Sequence, residues 1–223
     1  MTNARVFRDR ADAGIVLADA LRRFAGAPGV IVLALPRGGV PVGYEVARAL
    51  GAPLDVFLVR KIGAPGYEEL AFGAIASGGV RVLDRALIDH LQVSDADVER
   101  ITAREQRELA RREAAYRGGR PLPDLAGQTV ILVDDGLATG SSMRAAIRGV
   151  RQHHPTRVVV AVPTGARSTC DALRLEADEV VCASVPEPFH AVGQWYEDFS
   201  QTTDADVEAL LRAAAAPDGR CRP

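Results

Sequence analysis

An α/β fold organised around a parallel sheet is predicted by three features of this 223-residue sequence. Short apolar runs rich in Val, Ile and Leu recur at Val30–Leu35, Leu54–Val59, Val130–Val133, Arg157–Val162 and Glu179–Ala183, the composition of strands covered on both faces. Segments of helical spacing lie between most of these runs, and strand–helix–strand alternation implies right-handed crossovers and a parallel sheet. Two of the runs, Val30–Leu35 and Val130–Val133, end in glycine loops that open helices, so ligand binding is expected at the C-terminal edge of the sheet.

The first element is a helix over Asp9–Phe24, with Ile15, Ala18, Leu21 and Phe24 along one face and Gly26–Gly29 ending it. The strand Val30–Leu35, a helix over Val42–Leu50 and the strand Leu54–Val59 then complete a βαβ unit. Residues 63–126 interrupt this rhythm as an insertion. Ala71–Ala76 and Val80–Leu83 read as a hairpin turned at Ser77-Gly78-Gly79. Asp97–Tyr116 reads as a charged helix, capped by Ser94 with Asp97 and stopped by Gly118-Gly119. On it Arg100, Arg104, Arg107, Arg111 and Arg112 stand beside Glu99, Glu105, Glu108 and Glu113. The pairs Arg104–Glu108, Glu108–Arg112 and Glu113–Arg117 are four residues apart, each worth about 0.2–0.5 kcal/mol to a solvated helix. A structural or interface role is therefore preferred to a polyanion contact.

The core resumes with Val130–Val133, a helix over Ser142–His153, the strand Arg157–Val162, a helix over Ala166–Leu175 and the strand Glu179–Ala183. Phe189, Trp195, Tyr196 and Phe199 follow, then a helix over Asp204–Ala214 bearing Val207, Leu210 and Leu211. These aromatics either stack on a base or pack a C-terminal cover, and packing is the preferred reading. The expected organisation is one domain over residues 1–216, with a hood formed by the N-terminal helix and residues 184–214, and a frayed tail over 217–223.

Composition narrows the function. The chain is 48% apolar, enough for one sizeable core, and no run approaches the roughly 18 apolar residues of a membrane span. With 27 basic and 29 acidic residues the net charge is −2, which offers no general attraction for nucleic acid or anionic lipid. The N-terminus carries Arg5, Arg8, Asp9 and Arg10 without an apolar segment, unlike a secretory signal, so a cytoplasmic address is expected. Cys170, Cys182 and Cys221 show no Cys-x-x-Cys spacing, which indicates buried or tail thiols, with neither a disulfide framework nor a zinc cage. His153-His154 at a helix end complements the helix dipole better than it binds metal. No metal-ligand cluster is expected.

The most informative stretch is Val130–Ser142, where an apolar strand runs into two carboxylates, two glycines and three hydroxyls. A small-residue loop at a helix N-terminus turns backbone N–H groups toward an anion, and Thr139, Ser141 and Ser142 add hydroxyl donors. Asp134 and Asp135 would repel a triphosphate but accept hydrogen bonds from vicinal hydroxyls, and Gly136 lets the strand turn so that both reach one sugar. Neither a Gly-Lys-Ser/Thr loop nor a Gly-x-Gly-x-x-Gly loop is present. A ribose 5-phosphate fits this pattern. The loop Pro36-Arg37-Gly38-Gly39-Val40-Pro41 repeats the layout with a cation. Arg60-Lys61 stands at the expected end of the strand Leu54–Val59, where it either faces the ligand crevice or forms a solvated strand end.

Val130–Ser142 resembles the signature of the type I phosphoribosyltransferases: an apolar run, two acids and a small-residue loop with Thr-Gly. The resemblance implies that family's parallel-sheet core, with an inserted hairpin–helix segment and a terminal hood. It implies that phosphoribosyl pyrophosphate (PRPP) is held by Asp134, Asp135, Gly136, Leu137, Ala138, Thr139, Gly140, Ser141 and Ser142, the two acids on the ribose hydroxyls and Ala138–Ser142 around the 5-phosphate. Arg37, Gly38 and Gly39 would bind pyrophosphate in a loop expected to hold a cis peptide between Pro36 and Arg37. Lys61 would assist them, with Arg60 the lesser candidate, and Asp135, Arg37 and Lys61 would form the catalytic set. Mg²⁺ delivered with PRPP is the implied cofactor. The implied reaction, in nucleotide metabolism, passes the 5-phosphoribosyl group to a nitrogenous acceptor such as a nucleobase, whose identity is open. A closing segment within the insertion and a homodimer are further expectations. The competing reading is a non-catalytic PRPP- or nucleotide-binding regulatory protein. The complete acid pair, the Arg-Gly-Gly loop and Lys61 favour chemistry.

Overall fold

The computed structural model describes residues 5–216, so the expected tail and Cys221 lie outside the described residues. Along the chain run α1 (Arg10–Ala20), β1 (Val30–Ala34), α2 (Gly39–Leu50), β2 (Leu54–Val56), β3 (Val59–Ala64), β4 (Tyr67–Ala76), β5 (Val80–Leu83), α3 (Arg85–His90) and α4 (Asp95–Arg117). They continue with β6 (Thr129–Val133), α5 (Ser141–Arg151), β7 (Arg157–Thr164), α6 (Arg167–Leu173), β8 (Glu179–Ser184) and α7 (Asp204–Ala215). A five-stranded sheet has the order β2-β1-β6-β7-β8, parallel throughout. A separate antiparallel sheet has the order β3-β4-β5.

The apolar runs are continuous because the parallel sheet is covered on both faces. Val30 and Val32 of β1 pack with Leu17 of α1 and Val46 of α2. Ile31 and Leu33 belong to the opposite cluster, with Met143 and Ile147 of α5. In a third cluster Ile62, Phe72 and Ile75 of the antiparallel sheet meet Val98, Ile101 and Leu109 of α4 and Val207 and Leu211 of α7. The insertion is thereby fastened to the C-terminal cover.

The expected strand Leu54–Val59 is in fact two. The Phe57 amide makes the last bond to the parallel sheet, donating to Ala34 O at 2.9 Å. The next residue, Leu58, donates instead to Ser77 Oγ at 3.0 Å, and β3 then pairs with β4. Arg117 anchors this change of sheet from the end of α4. Its Nε lies 3.0 Å from Asp55 Oδ1 and its Nη1 2.8 Å from Glu113 Oε1, while its Nη2 donates to Val56 O. Other boundaries differ as well: α1 ends at Ala20, α2 begins at Gly39 and β4 at Tyr67, and α3, capped by Asp84, had no counterpart in the sequence reading. The charged helix appears with its expected Ser94 cap, accepting from the Asp97 amide, and ends at the left-handed Gly118. Cys170 of α6 and Cys182 of β8 are joined in a disulfide, contrary to the expected separate thiols. Among the described residues no helix is long and apolar enough to cross a membrane.

Candidate active site

Strands β1 and β6 are neighbours, so the loops that follow them emerge side by side. The Leu35 amide donates to Val133 O at 2.8 Å, and the Pro36–Arg37 peptide is cis. Gly38 and Gly39 serve the contact between the two loops. A Cβ at Gly39 would lie 2.7 Å from Val133 O and 2.9 Å from Asp134 Cα. One at Gly38 would overlap the Asp135 carboxylate.

The two acids occupy the recess between these loops. Asp134 Oδ1 accepts from the Asp135 amide at 2.9 Å. Burial, reinforced by the neighbouring charge of Asp135, holds the Asp134 carboxyl well above the usual carboxylate range. Burial also raises Asp135, and Arg10 opposes that rise. Arg10 Nε lies 2.9 Å from Asp135 Oδ2 and its Nη1 2.7 Å from Ser200 O, with the guanidinium 4.0 Å from the centre of the Phe199 ring. Tyr196 donates its hydroxyl to Asp135 O at 2.6 Å, and burial near Asp135 drives that phenol's pKa upward. Phe7 and Tyr196 pair through their backbones. Asp135 is thus held by α1 and the C-terminal cover together.

The loop after β6 is left open. Leu137 is in the core with its amide donating to Thr164 O at 3.0 Å, so neither its side chain nor its N–H contributes to the cradle. Thr169 Oγ1 donates to Ala138 O at 2.6 Å, and Gly140 takes φ +71° at the start of α5. Thr139 Oγ1 and Ser141 Oγ lie 3.1 Å apart. Among the described residues, the amides of Ala138, Thr139 and Gly140 find no acceptor. Orphan amides converging before a helix form a concave anion site.

Arg60 and Arg112 line one cavity and Lys61 another, while Arg37 lies outside both. Pro36, Arg60, Asp134 and Ser142 line a recess of about 90 Å³ that Arg112 of α4 also reaches. Arg60 is engaged by Glu105, Nε to Oε2 at 2.6 Å. Arg37 Nη1 stands 3.7 Å from Asp204 Oδ1, which accepts from the Tyr116 hydroxyl at 2.6 Å. Burial and that bond push the Tyr116 phenol up to about 12. Lys61 is not at the end of a core strand as expected. It lies on β3 and lines an adjoining cleft of about 640 Å³, which Ser141 also borders.

A family model described as a phosphoribosyl transferase domain matches residues 11–198. The chain belongs to the phosphoribosyl transferase family. Two Mycobacterium tuberculosis relatives, from strains CDC 1551 / Oshkosh and H37Rv, carry phosphoribosyl transferase in their names. Each is 45% identical over 210 residues, 94% of this chain and 47% of the relative. The chain therefore spans about half the length of these curated relatives. The crystal structure of TT1426 from Thermus thermophilus is 48% identical, covers 95% of this chain and 100% of its own, and superposes with a TM-score of 0.83.

Among the residues expected to form the site, the fold gathers Arg37, Gly38, Gly39, Asp134, Asp135, Gly136 and Ala138–Ser142 around one edge of the sheet. It sets Lys61 across in the neighbouring cleft. Arg10 and Arg112 are the additions. The N-terminal arginines had weighed only against a secretory signal, and nothing local marks Arg10 as the partner of an acid 125 residues away. Arg112 was assigned to solvated pairing, which it makes with Glu108 at 2.8 Å while also lining the recess. The aromatics Phe189 and Trp195 stack on each other at 6.4 Å, and Tyr196 packs on Phe199 at 5.1 Å, in keeping with the packing reading.

Proposed function

We propose that this chain transfers a 5-phosphoribosyl group from PRPP to a nitrogenous acceptor, with release of pyrophosphate. The observation that carries this reading is the pair of partly accessible carboxylates at the foot of a loop whose amides lack acceptors. One ligand, a ribose 5-phosphate, satisfies both: its vicinal hydroxyls donate to Asp134 and Asp135, and its phosphate accepts from Ala138, Thr139 and Gly140. As the bond from ribose C1 to the pyrophosphate oxygen breaks, positive charge grows on the sugar and negative charge on the leaving group. The carboxylates orient the ring and stabilise the first. Arg37 and the loop it stands on receive the second, as donors already placed beside the acids. Lys61 adds positive charge from the adjoining cleft.

Two carboxylates without a third His, Cys, Asp or Glu to complete a metal-binding group among the described residues suit a cation that takes most of its ligands from substrate and water. Mg²⁺ arriving with PRPP would supply charge neutralisation on the pyrophosphate. The decisive experiment measures pyrophosphate release from Mg²⁺ and PRPP across a panel of nucleobases, in the wild type and in Asp134→Asn/Asp135→Asn. Release with at least one acceptor, reduced about a hundredfold or more in the folded double variant, is expected. Tight PRPP binding without release for any acceptor would make the protein a regulatory binder. Undiminished turnover in the double variant would overturn the site assignment.

A further inference from the structure

We propose that the cleft between α5 and the antiparallel sheet is a second anion site, suited to the phosphate chain of an inorganic polyphosphate or a nucleoside triphosphate. Among the described residues its walls carry Lys61, Arg85, Arg144 and Arg148 against one carboxylate, Asp84. That carboxylate is occupied as the cap of α3, accepting from the Leu87 amide at 3.0 Å. Arg144 and Arg148 share, among the described residues, a single counter-charge, Glu176, at 3.1 and 3.4 Å from their Nε atoms. Among the described residues Arg85 pairs with the exposed Asp95, at 3.5 Å, and its charge also reaches Glu99, while Lys61 makes no ion pair. Exposed pairs of this kind are worth about 0–1 kcal/mol, so a multivalent anion competes for these guanidinium groups at little cost.

Shape argues the same way. Ala71, Gly73, Ala74 and Ala145 put small groups between the cations, which leaves about 640 Å³ of open cleft where larger side chains would have closed the seam. Arg144 and Arg148 are one turn apart on α5 and line the same cleft as Lys61 of β3. Charges on opposing walls of a cleft match an extended chain of phosphates better than a single one, because each phosphate finds a cation from a different wall. The inference requires neither PRPP nor an acceptor.

Calorimetry at low salt with tripolyphosphate, and in parallel with ATP, tests it. Binding at the cleft is expected to weaken at least about tenfold in Arg85→Ser/Arg148→Ser and to persist in Arg37→Ser, which removes only the competing anion contact on the loop after β1. Equal affinity for tripolyphosphate and ATP identifies the phosphate chain as the ligand. Tighter ATP binding with the same dependence on the arginine pair identifies a nucleoside triphosphate. Hydrogen exchange on the wild type gives a second reading, with protection expected over residues 82–85 and 144–148. No binding, wild-type affinity in the arginine pair, loss in Arg37→Ser, or protection confined to residues 37–39 would each overturn the proposal.

Discussion

The loops after β1 and β6 leave neighbouring strands and each opens a helix, yet they are shaped by opposite means. The loop after β1 is defined by what it excludes: Gly38 and Gly39 press so closely on the acids and on β6 that a Cβ has no room. The loop after β6 is defined by what it leaves unfinished, amides without acceptors and carboxyls whose burial disfavours their charge. One is a wall set by packing. The other is a socket that only a ligand completes.

The sharpest way to break this comparison is Gly39→Ala. Its new methyl group meets backbone at 2.7 Å, which cannot swing aside as a side-chain tip could, so the loops must separate. Overpacking of this kind costs about 1–3 kcal/mol, and both the melting temperature and PRPP affinity are expected to fall. Wild-type values for both would show that the wall is soft.

A smaller effect is expected from Arg10→Gln, which leaves both loops intact and removes the cation that opposes the rise in the Asp135 pKa. Asp135 then holds its proton to higher pH. The acid limb of the kcat/KM profile therefore moves upward, with about a tenfold loss at neutral pH that is partly recovered in alkaline buffer. A uniform loss at every pH would mean that Arg10 merely supports the fold.

The smallest effect has the opposite sign. The folded-state pKa of Asp134 is raised, so between the ordinary carboxylate value and the raised one the native state binds more protons than the unfolded chain. Stability consequently falls as pH rises through that window. Asp134→Asn removes this cost, and the ligand-free protein is expected to melt about 2–4 °C higher at pH 7 and with little change near pH 4. A lower melting temperature at pH 7 would mean that the charge is structurally compensated.

The parallel core was legible because each buried strand is a short apolar run closed by turn residues, and Val130–Ser142 carried acids and loop in one uninterrupted string. The division at Val56 was not, since Leu54–Val59 is apolar throughout apart from Asp55 and nothing in it says that Leu58 turns to Ser77. Lys61 was misplaced through the same omission. Arg10 and the Cys170–Cys182 link depend on which distant elements become neighbours, a property of the assembled fold that local pattern does not encode. The close seating of the first loop's glycines, Gly38 and Gly39, against the second loop is likewise a property of the assembled fold.

The grip on Asp135 has a temporal consequence. Arg10 belongs to the first helix, but Tyr196, Phe199 and Ser200, which fix it and the acid's backbone, come late in the chain. Synthesis runs from the N-terminus, and segments that emerge early wait for their later partners. A ribosome-bound chain that has already formed both glycine loops still lacks the brace on Asp135, which is completed only when Ser200 has left the exit tunnel.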